Sequence, residues 1–228
     1  MQYICTFTAY LALAFANFFC AGAIALVAVF DRRGVVWWRF ARLWGWVIYA
    51  GAWSRLYRRG FDAMTWDEPC ILMANHESYL DVPALIAMSS TPIRFVARKE
   101  VFKTPVMGQA MRATGQILVD RSDREQAIAS LSQAAKRISK GITVLVFPEG
   151  TRSSNGELKD FKKGGFMLAL EAQVPIIPVG VSGTRSIVPR GEWRFKPGTV
   201  GVSMGDPIPT AGLTVSDRDA LMRTVRDA

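Results

Sequence analysis

A single histidine, His76, occurs in 228 residues. Zinc centres gather three or four Cys and His ligands. One histidine, with Cys5, Cys20 and Cys70 forming no Cys-x-x-Cys pair, leaves no zinc site to build. An odd cysteine count without a framework also excludes a disulfide scaffold and fits a reducing compartment. Charge is missing from Tyr3 to Phe30, where there is no Asp, Glu, Lys or Arg. Acid is scarce throughout: 19 Asp and Glu stand against 28 Lys and Arg, a net charge of +9. That balance suits an anionic membrane surface, a phosphorylated ligand or nucleic acid. Nucleic acid fits the charge but not the apolar N-terminus.

What is present begins with that N-terminus. A helix over Tyr3–Phe30 is long enough for a bilayer core of about 30 Å. Met1-Gln2 supplies no basic n-region, so a retained membrane segment is expected rather than a cleaved signal peptide. Asp31-Arg32-Arg33-Gly34 follows, and the positive-inside rule puts that end in the cytoplasm. Val35 to Tyr57 then carries Trp37, Trp38, Trp44, Trp46 and Trp53, interrupted by Arg39 and Arg42. Each arginine at mid-bilayer costs about 2.5–3.5 kcal/mol, so a helix lying in the interface is expected. An amphipathic helix packed on the soluble domain is the alternative. Arg55, Arg58 and Arg59 close this segment on its charged side. One span plus a surface helix and a hairpin dipping into one leaflet both remain open.

From about Gly60 the pattern is α/β. Strands are expected at 70–74, 93–97, 116–119, 142–147 and 175–181, and helices at about 81–89, 105–113, 128–138 and 166–172. Ser122 to Glu125 has capping-box spacing. Residues 193–206 read as a glycine-punctuated strand pair, and 216–228 as a closing helix. Continuous apolar strands alternating with helices predict a largely parallel sheet covered by helices. The expected division is a membrane-associated two-helix segment, 1–59, and an α/β domain, 60–228.

Chemistry is concentrated at Asn75-His76-Glu77-Ser78-Tyr79-Leu80-Asp81. His76 is the only side chain whose unperturbed pKa lies near neutrality. Pro83 suits the first turn of a helix, which places the helix start at Asp81 and His76 on a strand-to-helix loop. A carboxylate there can turn back to one imidazole nitrogen and leave the other free to take a proton. Two more strand ends carry an acid beside an arginine: Gly115 to Arg121, and Phe147-Pro148-Glu149-Gly150-Thr151-Arg152-Ser153. Ligands of open α/β sheets bind beyond the carboxyl ends of strands, which gathers His76, Arg121, Glu149 and Arg152 at one edge. Lys162 and Lys163, before Gly164-Gly165 at a helix start, add cations. Alone, each acid–arginine pair reads more often as a structural ion pair. Together they suit deprotonating a hydroxyl of a phosphorylated lipid while arginines hold the phosphate.

These blocks, with Val174 to Val179, resemble the 1-acylglycerol-3-phosphate acyltransferases, the PlsC-like glycerolipid acyltransferases. The likeness covers roughly residues 70–185, and the N-terminal helices resemble that family's membrane-docking segment. It implies that His76, oriented by Asp81, deprotonates the sn-2 hydroxyl of lysophosphatidic acid. The oxygen then attacks the thioester of acyl-CoA or acyl-carrier protein. It implies a phosphate site from Arg121, Arg152 and Lys99, with Glu149 orienting those cations and the glycerol within the Glu149-Gly150-Thr151-Arg152 block. N–H donors near the helix start at Asp81 would hold the oxyanion. The implied partners are membrane lipids, a lysophospholipid and the acyl donor. The implied location is the cytoplasmic face of the inner membrane, and neither metal nor cofactor is required. The same blocks serve other lysolipid acceptors, such as glycerol-3-phosphate or lyso-ornithine lipid. A serine lipase would want a Gly-x-Ser-x-Gly elbow, which Gly180-Val181-Ser182-Gly183 does not supply. A non-catalytic membrane protein that binds phospholipid is opposed only by the His76–Asp81 pair.

Overall fold

A computed structural model describes residues 1–31, 33–61, 68–119, 124–139 and 141–228. Its described strands are β1 (Arg55–Arg59), β2 (Ile71–Ala74), β3 (Ile93–Arg98), β4 (Ile117–Val119), β5 (Thr143–Val146), β6 (Ile176–Ser182) and β7 (Thr199–Met204). They form one sheet in the order β1-β7-β6-β2-β5-β3-β4. Every pairing is parallel except β6 with β7. The largely parallel, helix-covered sheet expected from the sequence is therefore present, with one antiparallel step.

The continuous apolar strands lie at the centre. β2 and β5 are buried at every position. Alternation along β2 sends Leu72 and Ala74 into the core on one face and Ile71 and Met73 into the core on the other. The second face is covered by α6 (Arg124–Ile138), α7 (Lys163–Ala172) and α9 (Arg218–Asp227), the first by α4 (Asp81–Met88), α5 (Met107–Ala113) and the N-terminal helices. Ala134, Ala135 and Ile138 of α6 are buried. The proposed cap over Ser122 and Asp123 lies outside the described residues.

At the N-terminus, α1 (Gln2–Phe15), a π-helical turn (Ala16–Cys20) and α2 (Ala21–Val27) run as one helix of 26 residues. By length and composition it is apolar enough to cross a membrane. α3 (Val35–Gly51) returns alongside it, capped by Asp31, whose carboxylate accepts the N–H groups of Gly34, Val35, Val36 and Trp37. Contacts run the length of the pair. The Thr8 hydroxyl donates to Gly51 O at 2.7 Å, and the Trp44 indole donates to Asn17, in the π turn, at 3.0 Å. α2 packs on α5, and α3 on α4. Gly45 makes that second approach close, since a Cβ there would stand 2.5 Å from the Pro83 carbonyl oxygen.

α3 thus follows the alternative reading on one side. Trp37, Trp38, Ala41, Ile48 and Tyr49 are buried against the domain, while Val36, Leu43 and Trp46 face outward. Two expectations fail. Arg55–Arg59 do not close the helical segment; they form edge strand β1, paired with β7 from Arg55↔Thr199 to Arg59↔Ser203. Residues 193–206 hold one strand, not two. The stretch before β7 is held instead by α1, where Thr6 Oγ1 accepts the Phe195 N–H at 3.0 Å and Tyr10 stands edge-on to Phe195.

Candidate active site

The loop from β2 to α4 places His76 at the carboxyl end of the sheet. Asn75 ties this end to β6, donating to Val181 O at 2.8 Å and accepting the Val181 N–H at 2.6 Å. His76 Nδ1 lies 2.7 Å from Asp81 Oδ2. The same oxygen accepts the N–H groups of Glu77 at 2.7 Å and Ser78 at 2.9 Å. Asp81 is wholly buried, whereas the His76 side chain is 18% exposed. Its ring lies on Phe147, centroids 4.0 Å apart and planes within 18°. One nitrogen is committed to a carboxylate, the plane is fixed by stacking, and among the described residues no protein group bonds Nε2. That is the arrangement of a general base held in one tautomer.

The N–H groups of Glu77 and Ser78 are therefore occupied by Asp81. These two do not remain to hold an oxyanion.

Glu149 sits otherwise than expected. It is buried, and its oxygens accept two backbone N–H groups, those of His76 at 2.7 Å and Lys159 at 3.0 Å. It braces the His76 loop and the 150s loop against each other, and among the described residues it forms an ion pair with no cation. His76 O closes the same link by accepting the Ser153 N–H at 2.7 Å. Burial raises the carboxyl pKa of Glu77, and the neighbouring Asp81 and Glu149 raise it further against an opposing pull from Arg185.

His76 opens onto a cavity of about 630 Å³. Its polar lining includes Tyr79, Gly150, Thr151, Arg152, Arg98 and Arg190. Part of its apolar lining comes from the N-terminal helices, through Ile24, Trp37, Trp38, Ala41 and Trp44. The Arg152 guanidinium stacks 3.4 Å above the Tyr79 ring, with Nη1 buried and unpaired. Arg190 donates to Arg152 O at 2.9 Å. A guanidinium in the lining of the same cavity as His76 can pair with an anionic group.

Of the sequence-predicted residues, His76, Gly150, Thr151 and Arg152 meet at this cavity and Asp81 stands behind the histidine. Lys99 is half-buried in the turn after β3; its neighbour Arg98 is the one that lines the cavity. Lys162 and Lys163 are exposed at the start of α7 and take no part in the lining. Arg121 lies outside the described residues. Sequence reading missed Tyr79, Arg98 and Arg190. An aromatic three residues after His76 was the one available signal.

A larger recess of about 700 Å³ adjoins Asn75, Glu77 and Glu149, but His76 is not among its described lining. It also holds Ser203, from Gly201-Val202-Ser203-Met204-Gly205, which has the Gly-x-Ser-x-Gly spacing that a search confined to 180–183 passes over. These residues lie along β7 and its end instead of on a strand-to-helix turn, and Ser203 donates to Gly180 O. No nucleophile elbow is formed. No cluster of three potential metal ligands occurs among the described residues.

Fold and site define an α/β protein with a His–Asp pair over an apolar, arginine-rimmed cavity. A family model described as Acyltransferase matches residues 55–182, and the chain belongs to that family. It is 35% identical over 161 residues to human 1-acyl-sn-glycerol-3-phosphate acyltransferase beta, covering 70% of this chain and 58% of that protein. It is 36% identical over 143 residues to the chloroplastic 1-acyl-sn-glycerol-3-phosphate acyltransferase BAT2 of Brassica napus, covering 62% and 41%. The chain spans about half the length of the curated relatives it matches. The crystal structure of the 1-acyl-sn-glycerophosphate acyltransferase PlsC from Thermotoga maritima superposes with a TM-score of 0.84 at 25% identity, covering 99% of this chain and 92% of that one.

Proposed function

We propose that this protein transfers an acyl chain from a thioester, acyl-CoA or acyl-carrier protein, to the sn-2 hydroxyl of lysophosphatidic acid, giving phosphatidic acid. The observation that carries this reading is the His76–Asp81 pair at a largely apolar cavity whose lining also includes Arg152. The names of the relatives support the acceptor.

His76 Nε2 takes the proton of the acceptor hydroxyl as its oxygen attacks the thioester carbonyl. Asp81 holds the imidazolium that forms, and the proton passes on to the departing thiolate. Arg152, kept planar on Tyr79, binds the acceptor phosphate, with Arg98 and Arg190 adding positive potential at the mouth. The apolar depth receives the acyl chain. No residue of the chain becomes acylated, and no cofactor is used.

The apolar helix supports docking on the lipid surface. Both ends of Gln2–Val27 touch the same domain: Thr6 and Tyr10 meet the Trp193–Phe195 stretch, and α2 meets α5. Crossing a bilayer would pull one end away, so the hairpin lies in a single leaflet, with Tyr3, Phe7, Leu11, Phe18 and Leu26 outward. The leaflet proposed is the cytoplasmic one of the inner membrane.

Acyl transfer in detergent or vesicles tests the function. Wild type and His76→Ala each receive an acyl thioester with lysophosphatidic acid, glycerol-3-phosphate or a zwitterionic lysolipid. Product from lysophosphatidic acid that falls by about 10²–10⁴-fold in His76→Ala is expected. Thioester turnover that survives the substitution would sink the assignment.

A further inference from the structure

We propose that Thr184 is a positioning residue for the His76–Asp81 pair: its hydroxyl holds the carboxylate oxygen that the histidine does not use and thereby lowers the proton affinity of the imidazole. The proposal rests on His76 being the base.

Asp81 Oδ2 receives three donors, from His76 Nδ1, Glu77 N and Ser78 N. Oδ1 has one, the Thr184 hydroxyl at 2.5 Å. Asp81 and Thr184 are each 0% exposed, so the contact is shielded from bulk solvent. The chain is built to deliver it from 103 residues away. β6 ends at Ser182, and Gly183 turns the backbone at φ +86°. A side chain at Gly183 would run into the Thr199 carbonyl. Thr184 then opens the short helix α8 (Thr184–Ile187), fixed by the buried Ile187. Val188 O accepts the Ser78 hydroxyl at 2.8 Å, a second tie between α8 and the histidine loop.

A donor on Oδ1 stabilises the ionised carboxylate most when the imidazole is neutral and the negative charge is uncompensated. It helps less once the imidazolium shares that charge. Removing it therefore favours the protonated pair, raises the apparent pKa of His76 and leaves less base at neutral pH. Among the described residues, the other charged and titratable groups around the pair are Glu77 on its own loop, Glu149 and Arg152 after β5, Tyr49 from α3, Arg185 from α8, and Arg98 and Arg190 in the cavity lining. None of these is altered by changing Thr184.

His76 is the only histidine, so its imidazole NMR signals titrate without ambiguity in the full chain in micelles. Thr184→Val should raise its apparent pKa by about half a unit to one unit. The acid limb of kcat/KM should move with it. Thr184→Ser keeps the donor and should restore the wild-type value. Thr184→Ala carries the same readout should valine prevent folding. A His76 pKa unchanged within about 0.2 unit in the donor-less variant overturns the proposal, even if thermal stability falls. So does a serine variant that fails to restore it. A pKa shift in a wild-type background that transfers no acyl group would leave the Thr184 role standing and remove the proposed function instead.

Discussion

Replacing Glu149 with glutamine exchanges one heavy atom in a buried place. The carboxylate accepts the His76 N–H through one oxygen and the Lys159 N–H through the other. Glutamine keeps one acceptor and turns the other into an amino group, which then faces an N–H. A hydrogen bond to a charged group contributes about 1.5–3 kcal/mol, and a buried donor left unpaired costs about 1–3 kcal/mol. Removing a buried charge offsets part of this. A net loss of about 2 kcal/mol is expected, which for a chain of this size lowers Tm by about 4–8 °C. The functional effect follows from the first of the two bonds. Loss of its brace displaces the His76 loop, and a misplacement of about 1 Å at a reacting group costs about 10²-fold. Glu149 does not line the His76 cavity, so acceptor KM should stay within about three-fold while kcat falls by about 10–100-fold. Differential scanning fluorimetry and steady-state kinetics in the same detergent read both. An unchanged Tm with a tenfold rise in acceptor KM would refute the bracing role and return Glu149 to the acceptor site.

Three other outcomes follow from the geometry. Arg152→Lys exchanges a planar guanidinium stacked on Tyr79 for a point charge; KM for a phosphate-bearing acceptor should rise by about tenfold, and KM for a zwitterionic lysolipid far less, in parallel titrations. Glu77→Gln should stabilise the protein at neutral pH. A carboxyl raised above its ordinary 4.5 holds its proton more tightly folded than unfolded, so wild-type stability falls as pH climbs from 4.5 through the raised value. The Tm difference between the two proteins should be present at pH 7 and vanish below about pH 4, as read by melts across pH. Ile24→Trp, in the deep wall of the cavity, should move donor preference toward shorter acyl chains in a competition between thioesters, at a stability cost of about 1–3 kcal/mol.

Much of the site was legible because its signals are local. His76 and Asp81 are five residues apart on one loop, and Gly150, Thr151 and Arg152 are consecutive. Apolar runs such as Thr143–Val146 announce central parallel strands directly. The unread parts depend on partners distant in sequence. Thr184 meets Asp81 from the far end of β6, and nothing near residue 184 marks it. Glu149 stands beside Arg152 in sequence, so an ion pair is the natural reading; only the folded backbone shows two N–H groups converging on its carboxylate. β1 is Arg-Leu-Tyr-Arg-Arg, an edge strand whose mostly exposed positions give no apolar alternation. The tryptophans of α3 are ambiguous for a different reason, since tryptophan and arginine suit a lipid interface and a domain surface alike. The packing divides them, with Trp37 and Trp38 inward and Trp46 outward.

That division bears on how such proteins diversify. Ile24, Trp37, Trp38 and Trp44 belong to the N-terminal hairpin and also line the cavity that holds His76. The Tyr49 hydroxyl of the same hairpin donates to Leu80 O at 2.7 Å, one residue before Asp81. The hairpin is therefore not a handle that can be cut off or exchanged at will. A version shortened to begin after α3 would lack one side of that chamber. Under the proposed function, a hairpin borrowed from a relative would bring its own chamber wall, so affinity for a bilayer and choice of fatty chain would be inherited together.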